Sequence, residues 1–212
     1  VINGAVTGTI TTGTTDEGTI DVNGAAVITG AIGTSAAKLN LLDIDANATT
    51  SSTVYATDID TAAVTHTAQG DLTAAYTFSA DGTLALADGA DVTGAITVGT
   101  DNQGTITVAG VSVITGEVGV AATPKILKAV TVGDGSGTDS LTVNGNLHAT
   151  GTTVAAGATL AFSHATAAAM AGTLTTNATT GKVDVGTATV TVTGAVAIAA
   201  TSTLKVTIGD TN

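Results

Sequence analysis

The stretch ITVGTDNQGTITVAGVSVITG, residues 96–116, decides the fold class, because the rest of the chain is built from versions of it. Two short alternating strands, Ile96-Thr97-Val98 and Thr105-Ile106-Thr107-Val108, flank a polar turn at Asp101-Asn102-Gln103-Gly104. A glycine-bounded apolar tail follows at Val111 to Ile114. β-Branched residues alternating with a period of two suit a pleated surface buried on one side. Glycine at the bends supplies backbone conformations that other residues avoid.

Working outward, the segment Val6 to Ala37 laid without gaps over residues 92–123 matches at about 18 of 32 positions. Gly8, Gly13, Gly18, Gly24, Gly30 and Gly33 fall on Gly94, Gly99, Gly104, Gly110, Gly116 and Gly119. Glycines mark where a backbone turns or approaches another closely, so shared glycine spacing implies a shared path. A third version begins at Val130-Thr131-Val132-Gly133, turns through Asp134 to Asp139 and returns as Leu141-Thr142-Val143-Asn144-Gly145. A fourth, with a shortened turn, pairs Val183-Asp184-Val185-Gly186 with Thr189 to Gly194. The alternation also shows in Ala75 to Phe78 and Thr83 to Leu86, separated by the turn signal Asp81-Gly82. The chain reads as one elongated all-β domain, residues 1–212, with pseudo-halves 1–90 and 91–212.

Three stretches break the pattern. Thr34 or Ser35 is placed to cap a short helix through Ala36 to Leu42, and Thr57 heads a weaker helix or loop. The Ala-rich run Ser163 to Met170 is expected to form one or two helical turns that stop at Gly172. The run Ala37-Lys38-Leu39-Asn40-Leu41-Leu42-Asp43 resembles the ELNLLDG element repeated in phage tail-fibre, virion and bacterial surface fibrous proteins. Lys38 replaces the Glu of that element and Ile44 its final Gly. The resemblance implies a fibrous, structural context.

Composition narrows the function. Seventeen acidic residues against five lysines and no arginine leave a net charge of −12, which argues against a nucleic-acid partner. With no cysteine, disulfides and thiolate metal sites are excluded. No apolar run approaches the roughly 20 residues of a membrane-spanning helix. Tyr55, Tyr76, Phe78 and Phe162 are the only aromatics, so a thin core between close-packed strands is expected. A β-solenoid of short Gly- and Asp-turned strands fits this best. An antiparallel sandwich or jelly roll, with Ile106 and Val108 inward and Thr105 and Thr107 outward, is the alternative, and an intertwined trimeric fibre a third. The irregular spacing of the units, near 10, 96, 130 and 183, counts against a strict solenoid.

No catalytic constellation is legible, and the chain is not expected to be an enzyme. His66, His148 and His164 lack the spacing of a helical metal pair and are expected to face solvent or bond locally. No Gly-x-Ser-x-Gly elbow occurs. Asp43, Asp45 and Asn47 have the opening spacing of a calcium loop without its Gly and closing Glu. Asp134 with Asp139 is a second candidate calcium site and Asp58 with Asp60 a third, each with Asx-turn chemistry as its competing explanation.

Val206 to Asn212 reads as the first half of the repeated unit, and Val1 to Gly8 as its second half. The expectation is head-to-tail self-assembly into a homopolymer, with Val1, Ile2, Val6, Val206, Ile208 and Asn212 at the joint. A chain that starts at Val1 is read as a processed product or as a piece of a longer repeat protein. The expected role is a structural subunit of an extracellular filament or surface layer. The alternative is a stalk or tail-fibre segment, at a cell surface or on a virion, that presents a face to a glycan or receptor.

Overall fold

The computed structural model describes residues 1–120, 125–164, 167–177, 180–186 and 189–205. Its described elements are all strands, and every ladder between them is parallel. Among the described residues the one antiparallel contact is the isolated bridge between Val120 and Lys125. The chain winds as a β-solenoid of about eight turns, each coil lying on the one before it. The antiparallel sandwich is thereby corrected: the Gly and Asp turns join strands within a coil, and each strand finds its partner in the next coil.

Each coil has three faces. On the first, Ile20, Leu42, Ile59, Tyr76, Ile96, Val118, Leu147, Met170 and Val192 form one inward column. On the second, Val6, Ile28, Thr50, Ala68, Leu86, Val108, Val132, Val154 and Thr176 do the same. On the third the column runs Ile10, Ile32, Val54, Leu72, Val92, Ile114, Val143 and Phe162. These columns meet in a single core that continues along the rod. Alternate side chains face out, as a period of two requires.

Long strands bend around corners. Val54–Thr61 starts on the third face and ends on the first, with its register shift between Tyr55 and Asp58. Leu147–Val154 passes from the first to the second, with its shift between His148 and Gly151. Coil length varies at the corners, from Ile44 to its partner Thr61 at the short end to Val118 and its partner Leu147 at the long end.

The duplicated segments share their path but not their position around the rod. Val6 bridges Ile28 as Val92 pairs with Ile114, and Ile10 bridges Ile32 as Ile96 bridges Val118. Asp16 and Asn102, equivalent in the two copies, both take positive φ, 60° and 58°. Yet Ile10 lies on the third face and Ile96 on the first. The version at Val130 starts on the second face and the version at Val183 on the third again. One unit is therefore laid down on each face in turn, which explains its irregular spacing in sequence.

The three stretches expected to be helical, or in the second case helix or loop, are corrected; residues 165 and 166 of the third lie outside the described residues. Leu39–Ile44 is a strand paired on both sides, with Leu39, Leu42 and Ile44 buried. The cap signal is real but closes a turn: the Thr34 hydroxyl accepts the Ala37 N–H at 3.0 Å, and the chain straightens after it. The stretch headed by Thr57 lies in the strand Val54–Thr61. In the Ala-rich run, Ala167–Thr176 is a strand that continues through Gly172, with Ala168 and Met170 in the core. In each case unpaired backbone in the flanking coils outweighs local helix propensity.

Candidate functional site

Three features present chemistry beyond apolar packing: the first and last described coils, a column of carboxylates, and a polar cluster within the core.

At the first coil, Ile2, Val6 and Ile10 each donate to the second coil, to the carbonyls of Asp21, Val27 and Ala31, at 2.6 to 2.9 Å. Their own carbonyls accept from Asn23, Thr29 and Gly33. The alternate groups point the other way, and among the described residues the N–H groups of Asn3, Ala5, Thr7 and Thr9 have no acceptor. Ile2, Val6 and Ile10, one per face, pack on the core while staying partly open, and Val1 is 80% exposed. At the other end Val196 and Leu204 are 48% and 50% exposed, where their column neighbours Leu174 and Val183 are buried. Of the expected joint residues, Val1, Ile2 and Val6 lie in the first described coil; Val206, Ile208 and Asn212 lie outside the described residues.

The carboxylates of Asp21, Asp43 and Asp60 occupy matching outward positions on three successive coils of the first face. Burial raises the Asp43 pKa, and the charges of Asp45, Asp60 and Asp21 raise it further. One oxygen each of Asp21 and Asp60 is buried without a hydrogen-bond partner. Asp58 lies on the same face, level with Leu41 and Ala75.

The calcium candidates separate. Asp43 joins this column, Asp45 is exposed at the following corner, and the Asn47 side-chain oxygen accepts the Thr65 N–H at 2.9 Å. Asp134 and Asp139 do share a loop. One Asp134 oxygen accepts both the N–H and the hydroxyl of Ser136 at 2.7 Å, which holds its pKa down, and Asp139 accepts the Asp134 N–H at 3.1 Å. This is Asx-turn bonding. Among the described residues no group of three or more ligating side chains converges on one point.

His66 was expected to face solvent or bond locally, but it lies in the core. Its Nε2 is 3.0 Å from the Thr50 hydroxyl and its Nδ1 3.2 Å from the Tyr76 hydroxyl, which is 2.7 Å from Thr61 Oγ1. The imidazole stacks on the Tyr76 ring at 5.9 Å, and Phe78 meets that ring edge-on at 5.1 Å. Burial lowers the His66 pKa to about 4 and raises that of Tyr76. The parity of Thr65-His66-Thr67-Ala68, with Ala68 inward, was the signal for this placement. His148 is also buried, at a corner; burial lowers its pKa, and its Nδ1 has no partner. The cluster explains a packed polar core and offers no open reaction site.

No family model matches the chain, and no curated protein or solved structure is found to be similar to it.

Proposed function

We infer that the chain is a structural rod, a subunit of an extracellular filament or surface layer whose coils stack end to end with those of a second copy. The observation that carries this reading is the parallel stack itself, in which one core runs through successive coils and the backbone edge of each coil is completed by the next. An unpaired strand edge is a template for another strand, and a heterologous contact that does not close on itself propagates as a filament. Val196 and Leu204 add exposed apolar groups in the last described coil. The net charge of −12 opposes side-by-side clustering and leaves the ends as the favoured contact.

Negative-stain microscopy of the purified protein over a concentration series tests this. Uniform rods many times longer than one chain support it, and Ala5→Pro, which removes an outward N–H and keeps the bonds made by Val6, should shorten them. Dispersed particles of single-chain length at every concentration would refute it.

A further inference from the structure

The second face differs from the other two. Its outward positions form two columns in register across neighbouring coils. One runs Val27, Thr49, Thr67, Ala85, Thr107, Thr131, Thr153, Thr175 and Ala197. The other runs Thr65, Thr83, Thr105, Ala129, Gly151 and Thr173. Among the described residues, the hydroxyls of the six threonines in the first column make no hydrogen bond, nor do those of Thr65, Thr83 and Thr105.

Charge supplies an independent observation. In a chain of net charge −12, neither column contains an Asp, Glu or Lys. The first face carries Asp21, Asp43, Asp58 and Asp60, and the third carries Lys182, Asp184 and Lys205. Lys128 and Asp81, one residue before Ala129 and two before Thr83, pair with each other at 2.6 Å.

Strand spacing sets the columns' repeat at about 4.8 Å along the rod and about 6.6 Å from one column to the other. Each threonine adds a methyl and a hydroxyl held by a side chain stiff at χ1, so the grid is ordered before anything binds. We propose that this uncharged, in-register threonine grid is an ice-binding surface, each hydroxyl anchoring one water of the crystal while the methyl groups exclude disordered water between them.

Other occupants fit less well. The grid measures roughly 40 Å by 10 Å, about 400 Å² for each copy, against about 800 Å² per partner in a stable protein interface. A glycan platform needs exposed aromatic rings; Tyr76, Phe78 and Phe162 are buried, and the half-buried Tyr55 lies on the third face, away from the grid. A small molecule needs a concave site that engages a few groups closely, and the open hollow of about 420 Å³ at Val27, Thr49, Thr65 and Thr67 takes up only one end of the grid; an anionic surface needs cations. A neutral periodic solid is the partner whose chemistry repeats as the grid does. The proposal does not depend on end-to-end stacking, because the grid lies within one chain.

The test is thermal hysteresis and crystal shape in a nanolitre osmometer, using the purified chain, Thr107→Tyr and Thr131→Tyr at the centre of the grid, and Thr142→Tyr on the third face. Circular-dichroism melts establish that each variant is folded. The expected result is faceted crystals and a measurable hysteresis gap for the parent and Thr142→Tyr, with most of the gap lost in both central variants. Round crystals with no gap for the parent would overturn the proposal, as would equal loss in Thr142→Tyr. Dimerisation that Thr107→Tyr abolishes, without hysteresis, would overturn it in favour of a second copy on this face.

Discussion

Gly116 lies over Gly94 so closely that a Cβ on Gly116 would overlap the Gly94 carbonyl, and Gly30 stands in the same relation to Gly8 in the duplicate. The two pairs occupy different corners of the coil, so the close approach belongs to the repeated unit and not to one edge of the rod. Gly116→Ala should therefore cost about 1–3 kcal/mol, as overpacking against fixed backbone does. Gly13→Ala, with no atom within 4 Å of the new methyl, should change stability by less than about 0.5 kcal/mol. Urea titration of both variants checks this.

The His66 cluster makes the rod sensitive to acid. The unfolded chain takes up a proton near pH 6.5 and the folded chain only near pH 4, so His66 lowers stability as pH falls between those values. The contribution is complete above pH 6.5, and its loss amounts to about 3 kcal/mol once pH is below 4. His66→Leu should flatten the slope in that window, whatever it does to stability at neutral pH. Melting temperatures from pH 8 to pH 4 give the comparison.

Asp43 acts in the opposite sense. Its folded pKa is raised, so the stability linked to its protonated form is present below the ordinary Asp value and is lost as pH rises through the folded one. Replacing it by Asn removes the middle charge of the Asp21, Asp43, Asp60 column. Asp43→Asn should stabilise the protein at pH 7 by about 0.2–1 kcal/mol, the scale of like charges facing across strands, with the gain shrinking at pH 3. Denaturant midpoints at the two pH values measure it.

Much of this architecture was legible in the residues. Shared glycine spacing identified the duplication, and alternation placed Ile106 and Val108 inward beside Thr105 and Thr107 outward, as found. Parallel pairing was harder to read, because a Gly-Asp turn serves a hairpin and a coil corner equally well. The strand at Leu39–Ile44 was hidden because its leucines also suit a helix face, and only neighbouring coils decide between the two. The carboxylate and threonine columns were not legible. Coil length changes at the corners, so Asp21, Asp43 and Asp60 recur at unequal intervals that no fixed period detects. Nor does a local segment reveal on which face it starts.

Because Val22 pairs with Ile44, removing residues 23–44 excises one coil and leaves Asp45 following Val22 as it followed Ile44. The shortened chain should fold cooperatively, with a lower melting temperature from the lost interface. Removing 23–43 instead slips the alternation by one residue and should abolish cooperative melting. Calorimetry of the two deletions distinguishes them.

The parallel stack itself is open to a direct chemical measurement, since the chain has no cysteine to interfere. Thr107 and Thr131 are register partners on adjacent coils, at a strand spacing of about 4.8 Å that a disulfide spans. Thr142 lies on another face. Under mild oxidation, the Thr107→Cys/Thr131→Cys pair should close an intrachain disulfide, seen as a two-hydrogen mass loss and faster migration in non-reducing gels. The Thr107→Cys/Thr142→Cys pair should stay reduced. An open first pair, or closure of the second in its place, would contradict the stack.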